Sequence, residues 1–229
     1  MTDRTVQIPE VVMPGMRLGR NIDHDDRSKA FPAMVAALQT ARHERRCPPF
    51  DQGQLGSCTG NAMAGALMTD PLYQPGRDLS EKDAVELYAE ATRLDRFPGV
   101  YPPDDTGSSG LAVAKAAKRE GYISAYRHAF GLQQALGALV VGPVITGVKW
   151  YSSFDQPLAT GEVQITADAF VRGGHEFEVN GIDVENRRVW CVQSWGPTWG
   201  GLGDGTFWMS WDTWDKLLQE QGDVVQLTA

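Results

Sequence analysis

The spacing of apolar residues changes near residue 121, and this change constrains the fold more than any other feature of the sequence. Before it, three segments place apolar residues at helical spacing. After it, short segments alternate and are rich in β-branched and aromatic residues, as strands between glycine turns are. Helices first and strands second predict an α+β fold, with a helical half packed on an antiparallel, barrel-like half and a cleft between them.

Particular residues limit the predicted elements. An Ala- and Met-rich buried helix is expected to start close to Cys58 and to stop before Pro71. Ser80 is the predicted cap of a second helix, and Gly121 closes a third. A last helix is predicted over residues 133–142, and strands over 143–151, 176–184, 188–195 and 205–211.

Composition narrows the function classes. The 229 residues are 42% hydrophobic and 22% charged, which is typical of a globular protein. The net charge is −8 and no Lys/Arg run exceeds two residues, so a nucleic-acid partner is not expected. The sequence has neither an apolar stretch of about 20 residues nor a secretory signal pattern. We therefore expect a cytoplasmic monomer with no membrane partner.

Three widely separated cysteines exclude the usual zinc spacings and a disulfide framework. No metal and no cofactor are expected. The proline-rich residues 1–46 predict an extended lead-in, with one short helix in AFPAMVAALQTA. The domain itself is predicted over 47–229, divided into a helical lobe at about 50–130 and a β lobe at about 131–229.

Cys58 is a candidate nucleophile. It lies six residues after Gln52, where a buried helix is predicted to begin. A helix N-terminus stabilises a thiolate, and a glutamine amide can donate to a developing oxyanion. The same segment also fits a buried structural cysteine after a glycine turn, because free cysteine is among the most buried residue types.

His175 and Gln193 supply the other two candidate positions. His175 follows a Gly-Gly pair at the start of a predicted strand, so its ring can project into the cleft. His24, His43 and His128 lack such a setting and are expected to be ordinary surface or core residues. Gln193 opens the block QSWG, whose aromatic and glycine content taken alone indicates sheet packing.

Together these blocks resemble the papain-like cysteine peptidase family. Gly56-Ser57-Cys58 matches its nucleophile motif, and QSWGPTWGGLGDGTFWM resembles its NSWGxxWGxxGxF stretch. The resemblance runs from about residue 46 to the C-terminus and implies a papain-like two-lobed fold with a cleft between the lobes. It also implies a hydrolase that cuts a peptide or protein substrate through an acyl-enzyme.

The resemblance implies a role for each matched residue. Cys58 is the thiolate and His175 the acid and base, Gln52 stabilises the oxyanion, and Gln193 orients the imidazole under the shield of Trp195. Trp195 is also expected to contact substrate. The remaining substrate-binding positions are glycines: Gly107, Gly110 and Gly174. An ordinary surface turn is an equal interpretation of residues 107–110.

The departures from the family pattern keep alternatives open. Most members have Asn at the position of Gln193, an aromatic residue at Thr59 and Cys at Leu55. Only about 45 residues precede the motif, which suggests a bacterial or phage type without a conventional propeptide, active as made. A papain-like scaffold that binds peptides with little turnover, or an amidase or transpeptidase using the same acyl-thioester, would share these residues.

Overall fold

The computed structural model describes residues 4–229 and has the predicted α+β architecture. Its helices are α1 (Cys58–Leu67), α2 (Glu81–Leu94), α3 (Gly110–Arg119), α4 (Leu132–Val141) and α5 (Trp211–Gln219). Its strands are β1 (Arg4–Val6), β2 (Ile22–His24), β3 (Ala41–Arg42), β4 (Ala125–His128), β5 (Val144–Tyr151), β6 (Val171–Asp183), β7 (Arg188–Val192), β8 (Thr206–Ser210) and β9 (Asp223–Thr228). Short 3₁₀-helices cover Asp26–Ala30 and Ser152–Asp155.

One antiparallel sheet organises the second half of the chain. Its strands follow the order β4-β9-β5-β6-β7-β8, and β3 adds to β6. Strand β6 is the longest and pairs with both β5 and β7, so its residues are buried from Arg172 to Asp183. A strand hydrogen-bonded on both sides holds its side chains rigidly, and β6 carries His175.

The helical half packs around α1. All ten residues of α1 are buried, because small side chains let neighbouring helices approach from every side. Gly60 illustrates this: a Cβ atom there would lie 2.9 Å from the Cβ atom of Tyr88 on α2. Helix α2 begins with the predicted capping box between Ser80 and Asp83. The predicted starts of α1 and α2 are therefore confirmed, and α3 ends just before Gly121, as predicted.

The β half has a separate core between the sheet and helices α4 and α5. Trp150 and Trp214 are the largest of the fully buried side chains there. Aromatic rings surround Trp150 edge to face, which is the favoured arrangement of packed rings. Within residues 4–229 no helix combines the length and the apolar content that crossing a bilayer requires.

Residues 4–46 pack onto the domain. Strands β1 and β2 pair with each other, and β3 joins the main sheet through β6. The short helix predicted in residues 30–41 is wrong: apart from the end of a 3₁₀-helix at Ala30, this stretch is extended. Its backbone bonds to other elements instead, with Ala33 N donating to His128 O and Ala36 N to Gly137 O.

The free cysteines generate a prediction about stability. Cys47, Cys58 and Cys191 are all unbridged, and the last two are buried. We expect a thiol reductant to leave the melting temperature unchanged, since the fold uses no disulfide. Differential scanning fluorimetry with and without reductant measures this. A clear fall in melting temperature under reductant would contradict it, and a Cys47→Ser, Cys191→Ser chain is the matched control.

Candidate active site

Cys58 occupies the first position of α1, with its side chain against β6. The backbone amides of Glu176 and Thr59 lie near the Cys58 sulfur and act to lower its pKa. Glu176 directly follows His175, so this contact fixes the sulfur beside the strand that carries the histidine. The arrangement matches the expected placement of Cys58 at the start of a buried helix.

His175 is fully buried and is oriented by Gln193. Its Nε2 lies 2.5 Å from Gln193 Oε1, which also accepts from the Ser194 backbone N–H at 2.9 Å. Because that oxygen is an acceptor, Nε2 carries the proton and donates to it. His175 Nδ1 is therefore unprotonated, and it has no hydrogen-bond partner among residues 4–229. This tautomer leaves a free base in the cleft.

Aromatic side chains enclose the His175 ring. Trp195 stacks on it with ring centroids 5.1 Å apart, and Trp150 meets it edge to face at 4.9 Å. These rings exclude water from the hydrogen bond between His175 and Gln193. The same burial lowers the pKa of His175 to about 3, because a charged imidazolium would lose its hydration.

Gln52 has its side-chain amide fixed at both ends. Its Oε1 accepts from Ser194 Oγ at 2.6 Å, which directs Nε2 into the cleft. Nε2 donates to Leu55 O at 2.8 Å and to Leu18 O at 3.3 Å. Gln52 thus presents a donor to a carbonyl oxygen in the cleft, as an oxyanion donor must.

The carbonyl that meets Gln52 belongs to an N-terminal segment that crosses the cleft, residues 17–21. Gly19 N and Arg20 N both donate to Gly174 O, at 3.1 and 2.9 Å. On the other side, Ser108 N donates to Gly19 O at 2.8 Å and Asn21 N donates to Ser108 O at 2.6 Å. We expected the lead-in to leave the cleft open, and the structure shows that it does not.

The crossing segment is packed as tightly as a core element. Leu18 is 0% exposed and belongs to the core of the β half. Trp195 Nε1 donates to Arg17 O at 2.8 Å. Gly19 lies directly on Gly56, where an added Cβ atom would be 2.6 Å from the carbonyl carbon. The segment therefore covers the Gly56 turn that precedes the nucleophile, the oxyanion donor and the tryptophan shield together.

This burial changes the expected protonation state. The sequence predicts a thiolate at Cys58, paired with a protonated His175. In the structure, burial raises the pKa of the Cys58 thiol above its ordinary value, because a desolvated thiolate is unfavourable. The helix N-terminus does not compensate for a fully covered sulfur. With the segment in place the pair is a thiol and a neutral imidazole.

The three glycines of the predicted substrate contacts also lie in this cleft. Gly107 has φ +69°, a left-handed backbone that glycine adopts freely, and it contacts Gly19. Gly174 accepts from the segment as described above. Gly110 starts α3 and faces the carboxyl groups of Glu176 and Asp223, 2.6 and 2.8 Å from its ideal Cβ position. The turn at 107–110 is buried rather than an ordinary surface turn.

Sequence reasoning did not identify the residues that fill the cleft. Leu18 and Arg20 carry no motif, and no periodic pattern marks residues 17–21. Only one weak pattern pointed to Glu176, which is a charged residue directly after His175 and before the apolar Phe177 in a predicted strand. The described residues contain no group of three or more His, Cys, Asp or Glu side chains able to hold a metal.

Comparisons with known proteins agree with this geometry. A scan of the sequence against protein-family models and a search of curated proteins both gave no match. Among solved structures, xylellain, a cysteine protease from Xylella fastidiosa, superposes with a TM-score of 0.74 at 19% identity, covering 100% of this chain and 99% of that one.

Two further structures extend the likeness. Procathepsin L 3 from Tenebrio molitor has a TM-score of 0.63 at 15% identity, covering 98% of this chain and 84% of that one. Bromelain from Ananas comosus, in complex with the E64 inhibitor, has a TM-score of 0.52 at 15% identity, covering 80% and 93%. The chain therefore has the two-lobed papain-like fold that the sequence predicts.

The buried His175 predicts a pH dependence of stability. Its pKa is lowered from the usual 6.5 to about 3. Between these two pH values the unfolded chain binds a proton at His175 and the folded chain does not. The stability due to neutral His175 is present above pH 6.5 and is lost as the pH falls toward 3. Between pH 7 and pH 5 we expect a loss of about 2 kcal/mol from this group.

Urea unfolding of the chain and of His175→Gln, each at pH 7 and pH 5, isolates this contribution. Other titrating groups act equally in both proteins and cancel in the difference. The native chain should lose about 2 kcal/mol more than the variant. Equal losses would mean that His175 is solvated and that residues 17–21 do not cover it.

Proposed function

We propose that this chain is a cysteine peptidase that hydrolyses peptide bonds through a Cys58 acyl-enzyme, and that residues 17–21 hold it in a latent state. The observation that carries the proposal is the tautomer of His175. Its Nε2 donates to Gln193 and its Nδ1 is left as a bare base, on the strand against which the Cys58 sulfur is held.

The first chemical step is proton transfer followed by attack. His175 Nδ1 takes the proton of Cys58, and the thiolate sulfur bonds to the carbonyl carbon of the substrate. The carbonyl oxygen becomes an oxyanion within reach of Gln52 Nε2, the donor that now meets Leu18 O. One such donor is worth about 3 kcal/mol in the transition state.

The second step breaks the peptide bond, and water completes the cycle. The imidazolium gives its proton from Nδ1 to the leaving nitrogen as the carbon–nitrogen bond breaks, which leaves a thioester on Cys58. A water molecule, deprotonated by His175, then attacks the thioester carbon and releases the acid. Throughout, Gln193 holds the ring in one orientation and Trp195 covers that hydrogen bond.

Latency follows from three contacts. Leu18 places a carbonyl oxygen on the donor that the oxyanion needs, and Gly19 fills the space above the Gly56 turn. Gly174 and Ser108 bond to the segment with the backbone groups that would otherwise bond to a substrate. When the segment leaves, water enters the cleft, the pKa of Cys58 falls and the pKa of His175 rises. Opening therefore creates both the space and the reactive ion pair.

The proposal also covers the oligomeric state, the cellular location and the origin of the protein. The monomeric state stays a prediction. The three unbridged cysteines fit a compartment that keeps thiols reduced, and the cytoplasmic location and the bacterial or phage origin stay predictions.

The glycine pair in the N-terminal segment provides a sharp test of latency. In Gly19→Ala the new methyl group meets the Gly56 backbone, so the segment should leave the cleft. In Gly15→Ala, which also has positive φ, the methyl group meets nothing within 4 Å. We expect Gly19→Ala to raise the rate of Cys58 alkylation by a peptide electrophile by about tenfold to a hundredfold, and Gly15→Ala to leave it unchanged.

Mass spectrometry of the modified chain identifies which cysteine reacts, and a fluorogenic peptide gives turnover. Gly19→Ala, Cys58→Ala should keep the melting temperature of Gly19→Ala and lose all hydrolysis. An open cleft with fast Cys58 alkylation but no hydrolysis would favour the peptide-binding scaffold. Equal alkylation of Gly19→Ala and Gly15→Ala would refute latency.

Gln193 is the second test of the site. Removing its amide in Gln193→Ala should lower kcat by about 10- to 100-fold, because the ring loses its orientation. Gln193→Asn keeps the amide but shortens its reach, so kcat should fall less. Both are measured in the Gly19→Ala background. If neither change alters kcat or KM, Gln193 is not the orienting residue.

A further inference from the structure

Arg20 of the crossing segment places its side chain in a closed chamber beside the active site. The side chain is 0% exposed, and its Nη2 donates to Gln221 O at 2.8 Å and forms an ion pair with Asp223. Arginine is almost never fully buried without such partners. The domain therefore contains a recess that accepts a whole guanidinium.

The recess is built from two carboxyl groups and two glycines. Glu176 and Asp223 supply the carboxyl groups. A Cβ atom on Gly147 would lie 2.5 Å from Arg20 Nε and 2.5 Å from Glu176 Oε2. A Cβ atom on Gly110 would lie 2.6 Å from Glu176 Oε1. A larger residue at Gly147 would fill the space that the arginine occupies, and one at Gly110 would displace the Glu176 carboxyl group.

The recess has more hydrogen-bonding capacity than Arg20 uses. Both oxygens of Glu176 and the Oδ1 of Asp223 are buried and accept no hydrogen bond from the described residues, and Arg20 Nε and Nη1 are likewise buried without a partner. Burial and the neighbouring Asp223 raise the pKa of Glu176 well above its usual range, so Glu176 is held as a neutral carboxyl group and Asp223 supplies the negative charge of the recess. An apolar side chain in the recess would leave these polar groups without partners, which is unfavourable.

The backbone contacts of Arg20 indicate that a side chain of a bound peptide would enter the recess. Arg20 N bonds to Gly174 O, and Arg20 pairs with Ser108 as a parallel bridge. An extended peptide that binds the same Gly174 and Ser108 groups must place one side chain where Arg20 now lies. The carbonyl on Gln52 belongs to Leu18, so this side chain is within two residues of the reacting carbonyl.

We propose that the Glu176–Asp223 recess is a specificity pocket for an arginine side chain of the peptide substrate, and that Arg20 occupies it as a stand-in. This proposal rests on the peptidase function proposed above. A guanidinium can donate to both carboxyl groups and to the Gln221 carbonyl at once, whereas a lysine ammonium is a point charge without that fork. A citrulline side chain has nearly the same shape as an arginine side chain but no charge, so it is the neutral comparison.

Peptide hydrolysis in the full-length Gly19→Ala chain tests the specificity. Internally quenched fluorogenic peptides carry arginine, lysine, citrulline or leucine at each of the two positions on either side of the cleaved bond, one at a time, which covers a peptide bound in either chain direction. We expect arginine to exceed citrulline in kcat/KM by about 100-fold or more at one of these positions, with lysine between them. Cleavage with arginine and citrulline within a factor of about two at every position would overturn the proposal.

Variants of the recess give the matched comparison. Asp223→Asn should reduce the arginine-to-citrulline ratio by about tenfold or more, since it removes the negative charge that pairs with the guanidinium, and Glu176→Gln, which replaces a neutral carboxyl group, should reduce it less. Asp212→Asn removes a carboxylate that is 88% exposed at the start of α5, and the ratio should not change. A ratio that stays the same in both recess variants would overturn the assignment of these two carboxyl groups.

Binding of n-propylguanidine to Arg20→Ala separates the pocket from the chemistry. The small molecule should bind and raise the melting temperature of Arg20→Ala, and it should not affect the native chain, where Arg20 fills the recess. n-Propylurea, neutral and of similar shape, is the control. If Arg20→Ala does not fold, Gly19→Ala replaces it, because the displaced segment takes Arg20 out of the recess.

The outcomes distinguish the two proposals. If no peptide is hydrolysed but n-propylguanidine binds, the peptidase function fails while the recess still selects a guanidinium. If peptides are hydrolysed without arginine preference, the peptidase function holds and the specificity pocket is wrong. Equal effects of n-propylguanidine and n-propylurea would also overturn the pocket.

Discussion

The hydrogen bond between His175 Nε2 and Gln193 Oε1 is the interaction on which the site depends. It links β6 to the end of β7, two adjacent strands of one antiparallel sheet, and it fixes which ring nitrogen is free. Because Gln193 Oε1 also accepts from the Ser194 backbone, the glutamine cannot rotate its amide without losing both bonds. The sheet register therefore sets the chemistry of the histidine, and the longer side chain of glutamine still reaches it.

Burial then decides whether that chemistry can start. The same aromatic rings and crossing segment that protect the hydrogen bond also hold the cysteine as a thiol and the histidine as a neutral base. A catalytic pair in this state is stable and unreactive. Desolvation thus disfavours the thiolate and imidazolium while the segment is in place. The ion pair can form when water reaches the sulfur.

Local patterns predicted the elements whose cause is local. The helix at Cys58, the Ser80 capping box and the strand after Gly174 were predicted from spacing and capping residues. The sequence missed α5, because Trp211 continues an aromatic strand pattern, although Ser210 caps a helix there. It also missed the path of Leu18 and Arg20, since their positions depend on bonds to residues about 30 to 200 positions away. Contacts between residues so far apart in the chain produce no periodic pattern in the sequence.

The covalent connection between the crossing segment and the domain determines how the closed fraction depends on protein concentration. Strand β3 anchors residues 41–42 to β6, and residues 25–40 connect that anchor to the segment in the cleft. A tethered occupant has an effective local concentration that dilution does not change. As long as this connection is intact, the closed fraction is the same at any amount of protein. A single cut within residues 25–40 would turn the segment into an ordinary dissociable ligand, so the protein would then open as it became more dilute.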